Sequence, residues 1–213
     1  VKYNMCVNKE VSITVFIICT LVCLYLFKRN RPNDRWIAIF WIYIGCMQYL
    51  EYLMWSDQEC TGRNQWATDI AFWHNILQPF LALAVAYYFT NGKLPIWVYI
   101  IFIILTTSLP KIVEKKQPNQ CSKPCKNDQY GLAWEHTATE NLGYVWVIFC
   151  MAVIAPILMM KKSGHIYGGI IFGTYIVADF LAVTRCPDLV TPPNGSWWCL
   201  MAALIPVAAI YIN

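Results

Sequence analysis

Seven continuous apolar blocks, each separated from the next by polar or turn-forming residues, organise the chain. They run Val11–Phe27, Trp36–Trp55, Trp66–Thr90, Leu94–Leu109, Leu142–Met160, Ile166–Thr184 and Trp197–Ile212. A helix needs about 20 mostly apolar residues to cross a bilayer, and these blocks approach or reach that length. Trp and Tyr cluster at many of their ends, where interfacial aromatic residues sit. None has the period-two alternation of a barrel strand. The pattern predicts an all-α, polytopic membrane protein with seven transmembrane helices in a single domain over residues 1–213. The fourth and seventh blocks are short and are expected to lie tilted or shallow. The first follows ten mixed residues and is long enough to span, so a cleavable signal peptide is not expected.

Composition sharpens this reading. Of 213 residues, 58% are hydrophobic and only 13% charged, and mean hydropathy is +0.45. Those values exclude a disordered tail and argue against a soluble domain. The net charge of +4 does not point to nucleic acid, because the basic residues lie in connections between apolar blocks.

Seven spans place the two ends on opposite sides. One set of connections is short and basic: Lys28, Arg29, Arg31 and Arg35 in the first, Lys93 in the second, Lys161 and Lys162 in the third. That density marks a cytoplasmic face, although five further Lys residues lie in the long opposite loop, Pro110–Asn141. Cysteine placement decides between the two. Cys19, Cys23, Cys46 and Cys150 fall inside spans, whereas Cys6, Cys60, Cys121, Cys125, Cys186 and Cys199 fall on or beside the other face. Six cysteines on one face indicate an oxidising compartment and three disulfides, with the pairing open. The expected topology therefore has an extracellular, lumenal or virion-surface N-terminus and a disulfide-bearing outer loop over residues 110–141. The alternative of a zinc site is weak, since Cys121-x3-Cys125 has no His-rich partner segment.

A short internal similarity stands out. The second span contains Ile44-Gly45-x5-Glu51-Tyr52-Leu53 and the sixth Phe172-Gly173-x5-Asp179-Phe180-Leu181. Each is followed by a cysteine, Cys60 or Cys186, and then by a span with a proline, Pro79 or Pro206. A parallel three-plus-one-plus-three arrangement would produce this, with the fourth span as linker; chance similarity would too.

Ionisable groups inside spans mark function or a paired structural site. There are three: Glu51, His74 and Asp179. By rise per residue they lie about 6, 12 and 9 Å below the outer ends of their spans. Gln48, Glu51 and Trp55 share one helical face, His74 and Gln78 are one turn apart just before Pro79, and Tyr175 and Asp179 are one turn apart. The expected site is a pocket or ion pathway lined by Gln48, Glu51, Trp55, His74, Gln78, Tyr175 and Asp179. Two bland readings compete: a hydrogen-bonded cluster that only holds helices together, or a Glu51 that snorkels to water. Asp69 suits a helix start and needs no other role. Arg185, Asp188, Glu135, His136 and His165 read as interfacial or solvated. Asn194-Gly195-Ser196 is a glycosylation sequon set tightly against the seventh span.

Some chemistry is excluded. No Lys lies within a span, so a retinal Schiff base is ruled out. There is no Gly-rich phosphate loop, zinc-protease motif or nucleophile elbow. No catalytic spacing supports an enzyme, and no cofactor or metal is expected.

Three segments, Gln48-x2-Glu51-x3-Trp55, Gln78-Pro79 and Ser196-Trp197-Trp198-Cys199, together resemble an uncharacterised family of small seven-helix membrane proteins of giant DNA viruses and protists. The resemblance implies a eukaryotic or viral membrane setting and no particular activity. The repeat arrangement is similar to that of the SWEET and PQ-loop sugar transporters, but this chain has Gln78-Pro79 in the reverse order of their Pro-Gln pairs. The expected function is a transporter or an ion or proton pathway using outer-half acids, with the bilayer and a small molecule or ion as partners and no nucleic acid. The alternatives are a receptor-like protein with a disulfide-capped outer pocket and a structural membrane protein of a viral particle. The oligomeric state is left open.

Overall fold

A computed structural model describes residues 8–114, 120–124, 132–133, 143–185 and 194–212. They form helices α1 (Lys9–Arg29), α2 (Asp34–Trp55), α3 (Arg63–Phe89), α4 (Ile96–Glu114), α5 (Gly143–Ile157), α6 (Gly164–Arg185), α7 (Asn194–Ala202) and α8 (Ile205–Ile212), with two short strands, β1 (Lys123–Pro124) and β2 (Leu132–Ala133). The fold is all-helical apart from that hairpin. Four helices, α1, α2, α3 and α6, are long and apolar enough to cross a membrane; Ile96–Ser108, Val147–Ile157 and Ser196–Ile212 are shorter apolar helices.

Helix ends follow local chemistry. The Asn8 side chain accepts the Val11 N–H at 2.9 Å and starts α1. Asn30, in the left-handed region at φ 54°, returns its N–H to Leu26 and stops it. Asn tolerates that conformation better than most residues.

α2 is the hub. It packs against α1, α3, α7 and α8, and Ile37, Phe40, Trp41, Ile44, Met47 and Met54 are buried along it. Close approach to α1 depends on Gly45, where a Cβ would come within 2.8 Å of Cys19 Sγ. Cys19 in turn donates to the Trp41 carbonyl at 3.3 Å. A smaller cluster of Val98, Phe102, Leu105 and Ala152 joins α4 to α5. The outward faces are apolar as well: Leu21, Ile103, Phe180 and Tyr88 are all more than half exposed. A helix surface with apolar residues on both faces suits a hydrocarbon surround and not water.

Buried polar bonds tie one end of the bundle together. Arg29 forms two parallel bonds with Asp34, Nε to Oδ2 at 2.7 Å and Nη2 to Oδ1 at 2.8 Å. The same guanidinium donates to the Ile210 and Ala209 carbonyls of α8, at 2.9 and 3.1 Å. Asn33 Nδ2 donates to the Lys161 carbonyl at 2.6 Å and to Ser163 Oγ at 2.9 Å, and Trp36 stacks on Phe89. The connections carrying Lys28–Arg35, Lys93 and Lys161–Lys162 therefore meet at one end, together with the end of α8. Cys60 and Cys121, joined as a disulfide, lie at the other.

Several boundaries differ from the sequence pattern. The last apolar block is two helices, interrupted at Ala203–Leu204. Pro206 cannot donate to the carbonyl four residues back, and the turn before it opens. α4 runs through Pro110 to Glu114, into the segment expected to be loop. α5 ends at Ile157 and a turn occupies 158–163; a Cβ at Gly164 would press to 2.6 Å from the Leu158 carbonyl. The repeat-like segments sit in different surroundings: Gly45 is tightly packed, whereas nothing lies within 4 Å of a Cβ at Gly173.

Two stability tests follow. Arg29→Met leaves Asp34 buried without its counter-charge and is expected to cost about 3–5 kcal/mol; adding Asp34→Leu should recover much of it, as read by thermal melting in detergent. Gly45→Ala should cost about 1–3 kcal/mol by overpacking, with Cys19→Ala in the same chain relieving it. A Gly45→Ala melt equal to wild type would refute the tight α1–α2 contact.

Candidate functional site

The hub helix carries the polar residues that an apolar bundle tolerates least. Gln48 and Glu51, three residues apart on α2, are both fully buried. Gln48 Nε2 donates to Glu51 Oε2 at 2.9 Å. The other two oxygens, Gln48 Oε1 and Glu51 Oε1, have no hydrogen-bond partner among the described residues. α7 supplies the facing wall: Ser196 and Cys199, one turn apart, stand against the Glu51 carboxyl. Trp198 stacks face to face on Tyr175 at 4.5 Å, locking α7 to α6. Tyr175 adjoins Cys150 of α5, and both feel Asp179, half-buried one turn further along α6. Trp55, one turn beyond Glu51, is partly buried and its indole N–H has no partner.

His74 and Gln78 form a separate group. The His74 ring stacks on Tyr43 of α2 at 3.9 Å, and the Tyr43 hydroxyl donates to the His74 carbonyl at 2.9 Å. Gln78 Nε2 donates to Asn75 Oδ1 at 2.9 Å. Asn64 Nδ2 donates to the Met54 carbonyl, which with the Tyr43 bond sets the antiparallel register of α2 and α3. In that register His74 lies roughly 11 Å, and Gln78 roughly 17 Å, along the bundle from Glu51 at 1.5 Å per residue. The structure thus groups Gln48, Glu51 and Tyr175, with Trp55 and Asp179 at the margin, and sets His74 and Gln78 deeper. α3 continues as helix across Pro79.

The disulfide end caps the Glu51 group. β1 and β2 pair antiparallel, Lys123 with Ala133 and Pro124 with Leu132. Leu132 is fully buried in the main core, and its N–H points to Ser196 Oγ at 3.5 Å, beside Glu51. A second anchor escaped the sequence reading. Asn64 Nδ2 donates to the Ser122 carbonyl and Asn64 Oδ1 accepts the Ser122 N–H, each at 2.9 Å, and Thr68 Oγ1 lies 2.9 Å from Ser122 Oγ. Ser122 follows Cys121, so covalent and hydrogen-bonded anchors coincide. Asp57 organises the preceding turn. Its Oδ1 accepts from the Thr61 N–H and hydroxyl, and its Oδ2 from the Asn64 N–H at the start of α3, all at 2.9 Å. These backbone donors hold the Asp57 carboxyl down at about 2. The available signal was an acid shortly before a helix start; the side-chain partners of Asn64 come from a distant segment and leave no local mark.

The cysteine expectation is met at one pair and corrected at another. Cys60 and Cys121 are bonded, but Cys199 is a free thiol buried within α7, where it faces the bundle interior. Cys6, Cys125 and Cys186 lie outside the described residues, as do Asp188, Glu135 and His136. Ser196 of the sequon is fully buried. Among the described residues no group of three or more His, Cys, Asp or Glu could hold a metal ion.

No protein-family model matches the chain, and no curated protein or solved structure is significantly similar to it. The functional reading therefore rests on the chain's own chemistry.

Asp57 supplies a pH test. Its carboxyl is held below the usual value of 3.8 in the folded chain, so it stabilises the fold above that pH. That contribution should fade as pH falls from about 4 towards about 2. Thermal melts of wild type and Asp57→Asn should differ most near neutrality and converge in acid; a gap that persists in acid would contradict this role.

Proposed function

We propose that the protein is a multi-pass integral membrane protein of seven passes that acts as a transporter or an ion or proton pathway centred on Glu51. The carrying observation is a fully buried carboxyl with one oxygen bonded to Gln48 and the other without a partner among the described residues. A buried acid outside any ion pair is costly in a bilayer and is kept where it carries or binds something. The apolar outward faces and the four membrane-length helices support membrane residence. Basic connections gathered at one end, with the disulfide at the other, support a cytoplasmic basic end and an extracellular, lumenal or virion-surface disulfide end. The motif resemblance points to a eukaryotic or viral membrane.

The hairpin over Ser196 favours a second reading, a receptor-like protein whose capped pocket takes a ligand from the disulfide end. Liposome flux separates the two. Wild-type protein should pass protons or small cations down a gradient. Glu51→Gln should cut that flux by about a hundredfold or more, and Asp179→Asn less, because Asp179 stands at the margin. Wild-type flux no greater than that of empty liposomes under every gradient would reject the pathway and leave the receptor reading.

A further inference from the structure

The Gln48–Glu51 pair leaves its hydrogen-bonding capacity unfilled in a specific way. Both side chains are fully buried, and one amide N–H already meets one carboxyl oxygen at 2.9 Å. The two remaining oxygens, Gln48 Oε1 and Glu51 Oε1, are acceptors, and neither has a donor among the described residues. A single hydrogen placed between them would satisfy both. A proton on Glu51 Oε1 makes the acid neutral and supplies an O–H for Gln48 Oε1. The amide then donates to one carboxyl oxygen and accepts from the other, closing a ring of two hydrogen bonds.

Among the described residues, the elements around the pair offer no positive charge in place of that proton. α7 contributes Ser196, whose hydroxyl hydrogen-bonds the Glu51 carboxyl, and Cys199; both are uncharged groups. On α1, Lys9 reaches only the Tyr52 ring, at 5.4 Å from its centroid. α3 brings half-buried Asp69 to a similar height, a further negative group. α8 has no charged residue, and Arg29 is engaged with Asp34 at the opposite end. A metal cation fits poorly. Hard cations take about six or more oxygens, whereas this pair and the Ser196 hydroxyl offer few.

We propose that Glu51 is a neutral carboxylic acid ring-bonded to Gln48, so that the site takes a proton and not a metal cation. The proposal deepens the pathway reading and rests on it for its functional meaning. Losing the proton restores a carboxylate and leaves Gln48 Oε1 again without a donor, so release has to come with rearrangement of the amide or of the Ser196 wall.

Infrared spectroscopy of the full chain in lipid tests this directly. At neutral pH the protein should show a protonated-carboxyl C=O band. That band should shift when glutamate is carbon-13 labelled, vanish in Glu51→Gln, and move to higher frequency in Gln48→Leu, where the C=O loses its donor. If a variant fails to fold, labelled wild type lacking the band still overturns the proposal, and Glu51 is the one buried glutamate among the described residues to which a band can be assigned. A carboxylate signal alone at neutral pH, or a carboxylate band that shifts saturably with sodium or potassium, would overturn the proposal. The flux assay fails separately. An acid band without flux leaves the acid–amide ring standing and removes the pathway; flux with an ionised Glu51 does the reverse.

Discussion

The bidentate contact of Arg29 with Asp34 ties the α1–α2 turn to the end of α8 through one side chain. It closes the α1–α2 turn, and the same guanidinium satisfies two carbonyls at the end of α8, some 180 residues away in sequence. Those carbonyls belong to the last turn of a helix, where intrahelical donors have run out. In an apolar surround an unmet carbonyl finds no water. One cation thus meets a buried acid and a helix terminus together. The hub position of α2 follows, because its first turn is pinned to both α1 and α8.

The opposite end is held by different means. There the Cys60–Cys121 bond and the Asn64–Thr68–Ser122 cluster fasten a short hairpin over the bundle. In the chain-entropy picture, closing a loop across a sequence separation of 61 restricts the unfolded chain by about 4 kcal/mol. The hydrogen bonds then set where the hairpin sits. Leu132 consequently enters the core next to Ser196, and Glu51 is sealed from that side. A sealed acid can stay neutral with an amide and a serine hydroxyl as its partners; an open one would be hydrated and would need no such pair.

The polar residues divide according to how each is satisfied. Arg29, Asp34, Asp57 and Asn64 have full sets of partners and read as structural. Among the described residues, Glu51, Gln48 and His74 keep unmet atoms within the bundle. Buried polar groups in folded proteins are usually bonded, and the proposed pathway uses the exceptions on α2 and α3. His74, stacked on Tyr43 and well along the bundle from Glu51, lies at a depth where a second relay position would be.

The helical class, the helix starts and the apolar outward faces were legible in the sequence, because each depends on local composition and on the 3.6-residue period. The pairing of Gln48 with Glu51 was legible for the same reason: three residues along one helix fix which side chains meet. Other features were decided only by the tertiary structure. These were the break before Pro206, the freedom of Cys199 from any disulfide, the separation of His74 and Gln78 from Glu51, and the anchoring of Ser122 by Asn64. Each depends on how far one helix slides along another and on which distant segment reaches a buried polar atom. Residue spacing within one helix carries no record of either.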